Sequence, residues 1–139
     1  MGWTQIAEVI VGFAALGGLF WAVWTYHRSA KLERSKWMKE LYEKFYERDE
    51  LKKTRDLLDG GDSDEISRFV RDEPPAFTDY LNFFEFLGYL HESGQIELEE
   101  IRGMFDYYLK NLREHPAVLS YINNPAKGFE KLRALLKRV

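Results

Sequence analysis

The chain has 139 residues, a formal net charge of −3 and no cysteine. Without cysteine there are no disulfides and no thiolate metal sites, which agrees with a reducing cytoplasm. Residues 59–106 carry 13 acidic and three basic side chains, so a nucleic-acid-binding face is not expected there.

The first predicted element is a transmembrane helix over residues 1–27. Residues 9–26 contain no charged side chain, and at ~1.5 Å per residue this run is about 27 Å long. The neighbouring residues 4–7 extend the helix past the ~30 Å hydrocarbon thickness of a bilayer. A cleaved signal peptide is the alternative. It is disfavoured because no Lys or Arg precedes the apolar core and the core ends in bulky side chains.

The flanks of the span predict its orientation. Basic residues follow the apolar run and none precedes it, so the N-terminus is expected outside and residues 28–139 in the cytoplasm. Six side chains are expected to anchor the span at the two interfaces: Trp3, Trp24, Tyr26, Arg28, Lys31 and Arg34.

Small residues form a stripe along the predicted span. Ala14, Gly18 and Ala22 recur at every fourth position, a pattern that lets two membrane helices approach closely. Chance is the alternative, because Gly and Ala are common in membrane helices. Glu8 lies near the outer end and is interpreted either as a headgroup-level residue or as part of a carboxylate ring at the mouth of an oligomeric pore.

The cytosolic part is predicted to be an all-α bundle, because apolar residues recur at helical spacing and no strand alternation occurs. No Gly or Pro stands between Gly18 and Gly60, so the membrane helix is expected to continue as a juxtamembrane helix to residue 58. The remaining predicted helices are one N-capped by Asp62 or Ser63, then 76–92, 97–114, 117–122 and 129–139.

The helix over 76–92 is apolar nearly all round and is predicted to be the central core helix. Asn82 and Glu85 share one of its faces and are expected to form a buried polar network, with Glu85 paired to Arg71 or Arg102. A ligand or signalling site is the alternative for this pair.

Catalytic and metal-binding patterns are missing from the sequence. His27, His91 and His115 have no second ligand at helical spacing, and no phosphate-binding loop or nucleophile elbow is present. We therefore expect no enzymatic activity, no metal and no cofactor. A helical RNase of the HEPN type is a minor alternative, disfavoured because no Arg stands at the required distance before His91 or His115.

Residues 81–101, followed by AspTyrTyrLeu at 106–109, resemble an uncharacterised family of small prokaryotic proteins with one N-terminal span and a helical cytosolic domain. The matching residues are Leu81, Asn82, Phe84, Glu85, Gly94, Ile96 and Phe105. The organisation is also similar to the small membrane effector of type VI-B CRISPR systems, and that similarity implies a ring of spans that forms a pore.

Together these features predict an oligomeric single-pass membrane protein. Its cytosolic domain would control a membrane-embedded assembly. The resemblances imply a location in a prokaryotic inner membrane and a role as a pore-forming effector in anti-phage defence. The alternative is a membrane-tethered adaptor without a pore. The expected partners are the lipid bilayer, further copies of the chain and a cytoplasmic protein, and no nucleic acid.

Overall fold

The computed structural model describes residues 2–139, except the side chain of Val9. All regular structure in these residues is helical and none is strand, so the predicted all-α class is confirmed. The chain divides into two compact units, one up to Leu41 and one from Tyr42 to Val139. The boundary predicted at residues 27 and 28 concerns the membrane and stays a prediction.

Seven α-helices and one short 3-10 helix make up the described part of the chain. Their bounds are α1 Trp3–Glu47, α2 Asp49–Gly60, α3 Ser63–Asp72, α4 Pro75–Glu92, α5 Leu98–Glu114, α6 Pro116–Asn123, the 3-10 helix Pro125–Lys127 and α7 Glu130–Leu136. The helices predicted after residue 62 are present with small shifts at their ends. Of the two candidate caps, Asp62 is the N-cap of α3 and accepts a hydrogen bond from the amide N of Glu65 at 2.8 Å.

The long helix predicted to reach residue 58 ends earlier, at Glu47. Arg48 adopts an extended conformation, and α2 begins at Asp49. The break lets α2 bury Leu51 and Leu58 in the second unit and lets Thr54 donate a hydrogen bond to the carbonyl of Ala76 at 2.8 Å. The prediction of one uninterrupted helix to residue 58 was therefore wrong, because the apolar residues of this stretch are divided between α1 and α2.

Helix α4 is the core helix of the second unit, as predicted. Helices α2 and α7 both pack against it. Its fully buried side chains are Phe77, Tyr80, Leu81, Phe84 and Leu87. Complete removal of such a side chain from water stabilises the folded state by about 1.5–3 kcal/mol, so this helix anchors the bundle.

Candidate functional site

The first unit presents an apolar helix surface. An 18-residue window of α1 has a mean hydropathy of 2.0, and none of that window is buried. Length and composition therefore allow α1 to span a membrane, although a signal sequence near an N-terminus has the same properties. Among the predicted anchors in this segment, Trp3 and Tyr26 are 90% and 72% exposed.

The small-residue stripe lies on this exposed surface. Ala14, Gly18 and Ala22 are all exposed, and a Cβ added to Gly18 would meet nothing within 4 Å. No contact within the described chain thus requires a small residue there. Phe13 and Phe20 stand away from the stripe and are 71% and 73% exposed. The predicted self-association face is therefore open but stays a prediction.

Aromatic and basic side chains meet at the end of the apolar run. The rings of Trp21 and Trp24 are 5.3 Å apart, and the guanidinium of Arg28 lies 5.5 Å from the centre of the Trp24 ring. Both distances fall in the ranges typical of aromatic pairs and cation–π contacts. Lys31 and Glu8 are exposed, whereas Arg34 is half-buried.

Glu85 caps the N-terminus of α7. Its half-buried carboxylate accepts hydrogen bonds from the amide nitrogens of Lys131 at 3.0 Å and Leu132 at 2.6 Å. A carboxylate is favoured there because the first amides of a helix have no partners within it and carry partial positive charge. The predicted pairing of Glu85 with Arg71 or Arg102 was wrong, because the first amides of α7 are the hydrogen-bond partners of this carboxylate.

Asn82 is exposed, and the expectation that it joins Glu85 in a buried network was wrong. The helix turns Asn82 to solvent together with Phe86 and Tyr89, which are 45% and 52% exposed. This side of α4 therefore exposes two large aromatic rings next to an amide. The sequence concealed this surface because apolar residues occur on every side of α4.

Both histidines of the second unit form hydrogen bonds with other parts of the fold. Nδ1 of His91 lies 3.0 Å from the carbonyl oxygen of Ile96, and its Nε2 lies 2.9 Å from Nη1 of Arg138. Because Arg138 can only donate, Nε2 of His91 accepts and Nδ1 donates. Nε2 of His115 lies 2.7 Å from the carbonyl oxygen of Leu58. Among residues 2–139, no group of three metal-ligating side chains occurs.

An aromatic cluster surrounds Phe45 in the last turns of α1. Its ring contacts those of Tyr80, Phe83, Phe84, Phe105 and Tyr108. The hydroxyls of Tyr46 and Tyr108 share a hydrogen bond. In the part of the chain that the structure describes, the buried hydroxyl of Tyr80 has no hydrogen-bond partner, and burial raises its pKa.

Arg55 of α2 packs against this aromatic cluster. Its guanidinium lies 4.7 Å from the centre of the Tyr46 ring and donates a hydrogen bond to the carbonyl of Phe45 at 3.1 Å. That carbonyl is close to the C-terminus of α1, where carbonyls lack partners within the helix. Arg55 therefore fixes the turn between α1 and α2. Sequence reasoning missed it because an arginine ten residues away gives no local signal.

No family model, curated protein or solved structure matches this chain. The resemblances drawn from the sequence therefore stay predictions.

Proposed function

We propose that this chain is a self-associating single-pass membrane protein whose helical domain acts as an interaction module at the cytoplasmic surface. The observation that carries the proposal is the complete exposure of the apolar half of α1. In water this surface would cost about 25 cal/mol for each Å² left unburied, and a bilayer removes that cost. The second unit has its own core and needs no membrane for its packing.

The domain supports an interaction role better than a catalytic one. The two histidines in this unit are occupied by hydrogen bonds to the fold, and Glu85 is occupied by the amides of α7. The exposed surface around Phe86 and Tyr89 is the place where a cytoplasmic partner would bind. Alanine at both positions should abolish partner capture while leaving membrane attachment unchanged.

The absence of cysteine makes the topology directly testable. Thr4→Cys and Ser93→Cys each introduce a single thiol at an exposed position. In spheroplasts, a membrane-impermeant maleimide should label Thr4→Cys at once and Ser93→Cys only after permeabilisation. The reverse pattern would overturn the orientation. Extraction by alkaline carbonate, or an intact mass that lacks the first 25 or so residues, would overturn the span itself.

Self-association can be tested with the same approach. Ala14→Cys and Ala22→Cys should form disulfide-linked dimers in oxidised membranes, because small-residue stripes bring helix backbones together. Phe13→Cys and Phe20→Cys are matched controls on the same exposed helix and should form few dimers. Equal cross-linking at all four positions would contradict a specific interface.

A pore-forming assembly, as in a defence effector, is the second candidate. The stripe at Ala14, Gly18 and Ala22 favours it, because close packing of several spans could place Glu8 in a ring at the outer mouth. It predicts cation flux across proteoliposomes that Glu8→Gln reduces and Gly18→Ile abolishes. Proteoliposomes that contain cross-linked oligomers but show no cation flux would exclude the pore-forming function and favour the membrane-tethered interaction module.

A further inference from the structure

We infer that α1 carries a binding site for the headgroup of an anionic phospholipid, formed by Trp21, Trp24, Arg28 and Lys31. This inference rests on the proposed span. At 3.6 residues per turn the four side chains fall within about 80° of one another around the helix. They therefore form one face that runs from the apolar segment into the first basic residues.

The contacts on this face fix the geometry of the cation. Trp24 packs against Trp21 at 5.3 Å between ring centres and carries the Arg28 guanidinium at 5.5 Å. Trp24 is only 45% exposed, compared with 65% for Trp21 and 73% for Phe20. A cation–π contact restrains the guanidinium over the ring while its N–H groups stay available for a phosphate, which it can bind through two parallel hydrogen bonds.

Charge complementarity selects an anionic occupant. Lys31 lies one turn beyond Arg28, and in the described part of the chain neither forms an ion pair. The nearest acidic residue, Glu33, falls on the opposite side of the helix by its position, about 100° per residue. Two cations without a carboxylate on one face suit a phosphodiester with a net negative charge, such as phosphatidylglycerol.

The depth of the face also suits a phospholipid. Trp21 and Arg28 are seven residues apart, or about 10 Å along the axis. The interfacial region of each leaflet is roughly 5–8 Å thick. With Trp21 beside the upper acyl chains, Arg28 reaches the phosphate level, and Lys31 lies about one helical turn further out. The same face can thus contact both the apolar and the charged parts of a single lipid molecule.

The test compares Arg28→Gln, which removes one positive charge, with a double variant that keeps the wild-type charge. The full-length protein is purified in detergent with equimolar phosphatidylglycerol and phosphatidylcholine, and bound lipids are counted by native mass spectrometry. The wild type should retain phosphatidylglycerol in preference, and Arg28→Gln should lower that preference about fivefold, the factor expected for one basic residue. The double variant Arg28→Ser with Ser29→Arg keeps composition and net charge but moves the cation about 100° around the helix.

This exchange of positions should lower the preference as much as Arg28→Gln does. A double variant that behaves as wild type would overturn the site, because general attraction to an anionic surface would then explain the preference. Trp24→Leu should also lower the preference, whereas Tyr26→Leu, at similar depth on the opposite side, should leave it unchanged. Loss of the preference in Tyr26→Leu would likewise overturn the site. Carbonate-resistant attachment without lipid preference would reject this inference alone, whereas loss of attachment in the wild type would reject the proposed span as well.

Discussion

Gly88 marks the closest approach of α4 and α7, and replacing it with alanine should push the two helices apart. A Cβ at this position would lie 2.7 Å from the carbonyl oxygen of Lys131 and 2.8 Å from its carbonyl carbon. These backbone atoms cannot rotate away. Alanine gains about 1 kcal/mol over glycine inside a helix, but overpacking costs about 1–3 kcal/mol. Gly88→Ala should therefore be neutral or destabilising by up to about 2 kcal/mol.

Gly103 of α5 provides the matched control. It is also inside a helix, but a Cβ there would meet nothing within 4 Å, so Gly103→Ala should stabilise the domain by about 1 kcal/mol. The two variants should differ by about 1–3 kcal/mol. Thermal unfolding of the full chain in detergent, followed by circular dichroism, should then separate their Tm values by at least about 4 °C. Equal Tm increases in both variants would refute the described seating of α7 on α4.

Further substitutions test the capping carboxylate of Glu85, the buried ring of Tyr80 and the small-residue stripe of α1. Glu85→Gln should lower the free energy of unfolding in urea by about 2 kcal/mol, because the amide offers one acceptor oxygen to two N–H groups. Glu92→Gln, at an exposed ion pair, is the control and should lower it by under about 1 kcal/mol. Equal losses in the two variants would contradict the capping role. Tyr80→Phe should be neutral or stabilising by about 1 kcal/mol, because the buried hydroxyl lacks a partner in the described chain. Burial raises the pKa of Tyr80 in the folded state, so the stability that its protonated ring contributes is complete below pH 10 or so and is lost as the pH rises further. Above that pH, the free energy of unfolding measured in urea should therefore fall less steeply for Tyr80→Phe than for the wild type. An equal slope would count against the described burial. Gly18→Ile should reduce the mass of the detergent-solubilised particle while Phe20→Ile leaves it unchanged, and an unaltered mass in Gly18→Ile would remove the stripe as an interface.

The helices of the second unit could be predicted from the sequence because their ends carry local signals. Asp62 caps α3, and Pro75 and Pro116 stand in the first turns of α4 and α6. The break at Arg48 has no such signal, since no Gly or Pro occurs between Gly18 and Gly60. It depends on α2 packing against α4, which is a long-range contact, and periodicity alone does not reveal it.

The polar residues of α4 show the same limit. Their spacing places Asn82 and Glu85 close together on the helix surface, yet Asn82 is exposed and Glu85 is half-buried. Which of the two side chains is covered depends on the position of α7. Lys131 of α7 is 46 residues beyond Glu85 in the sequence. The partner of Glu85 is a pair of backbone amides, and backbone groups are the same in every sequence. Charge pairing could not have identified them.

The position of Phe45 limits where a protease could cut this protein without destroying its domain. Phe45 belongs to the same helix as the apolar segment, but its ring is completely buried in the second unit. Cleavage between residues 27 and 37 would leave this ring and the other buried side chains of α1, Met38 and Leu41, in the released fragment. Cleavage after Glu47 would remove it, and loss of a buried phenylalanine costs about 3–5 kcal/mol, a large share of the roughly 5–15 kcal/mol that stabilises a domain. A short stretch of α1 therefore separates the cleavage sites that would leave the domain folded from those that would unfold it.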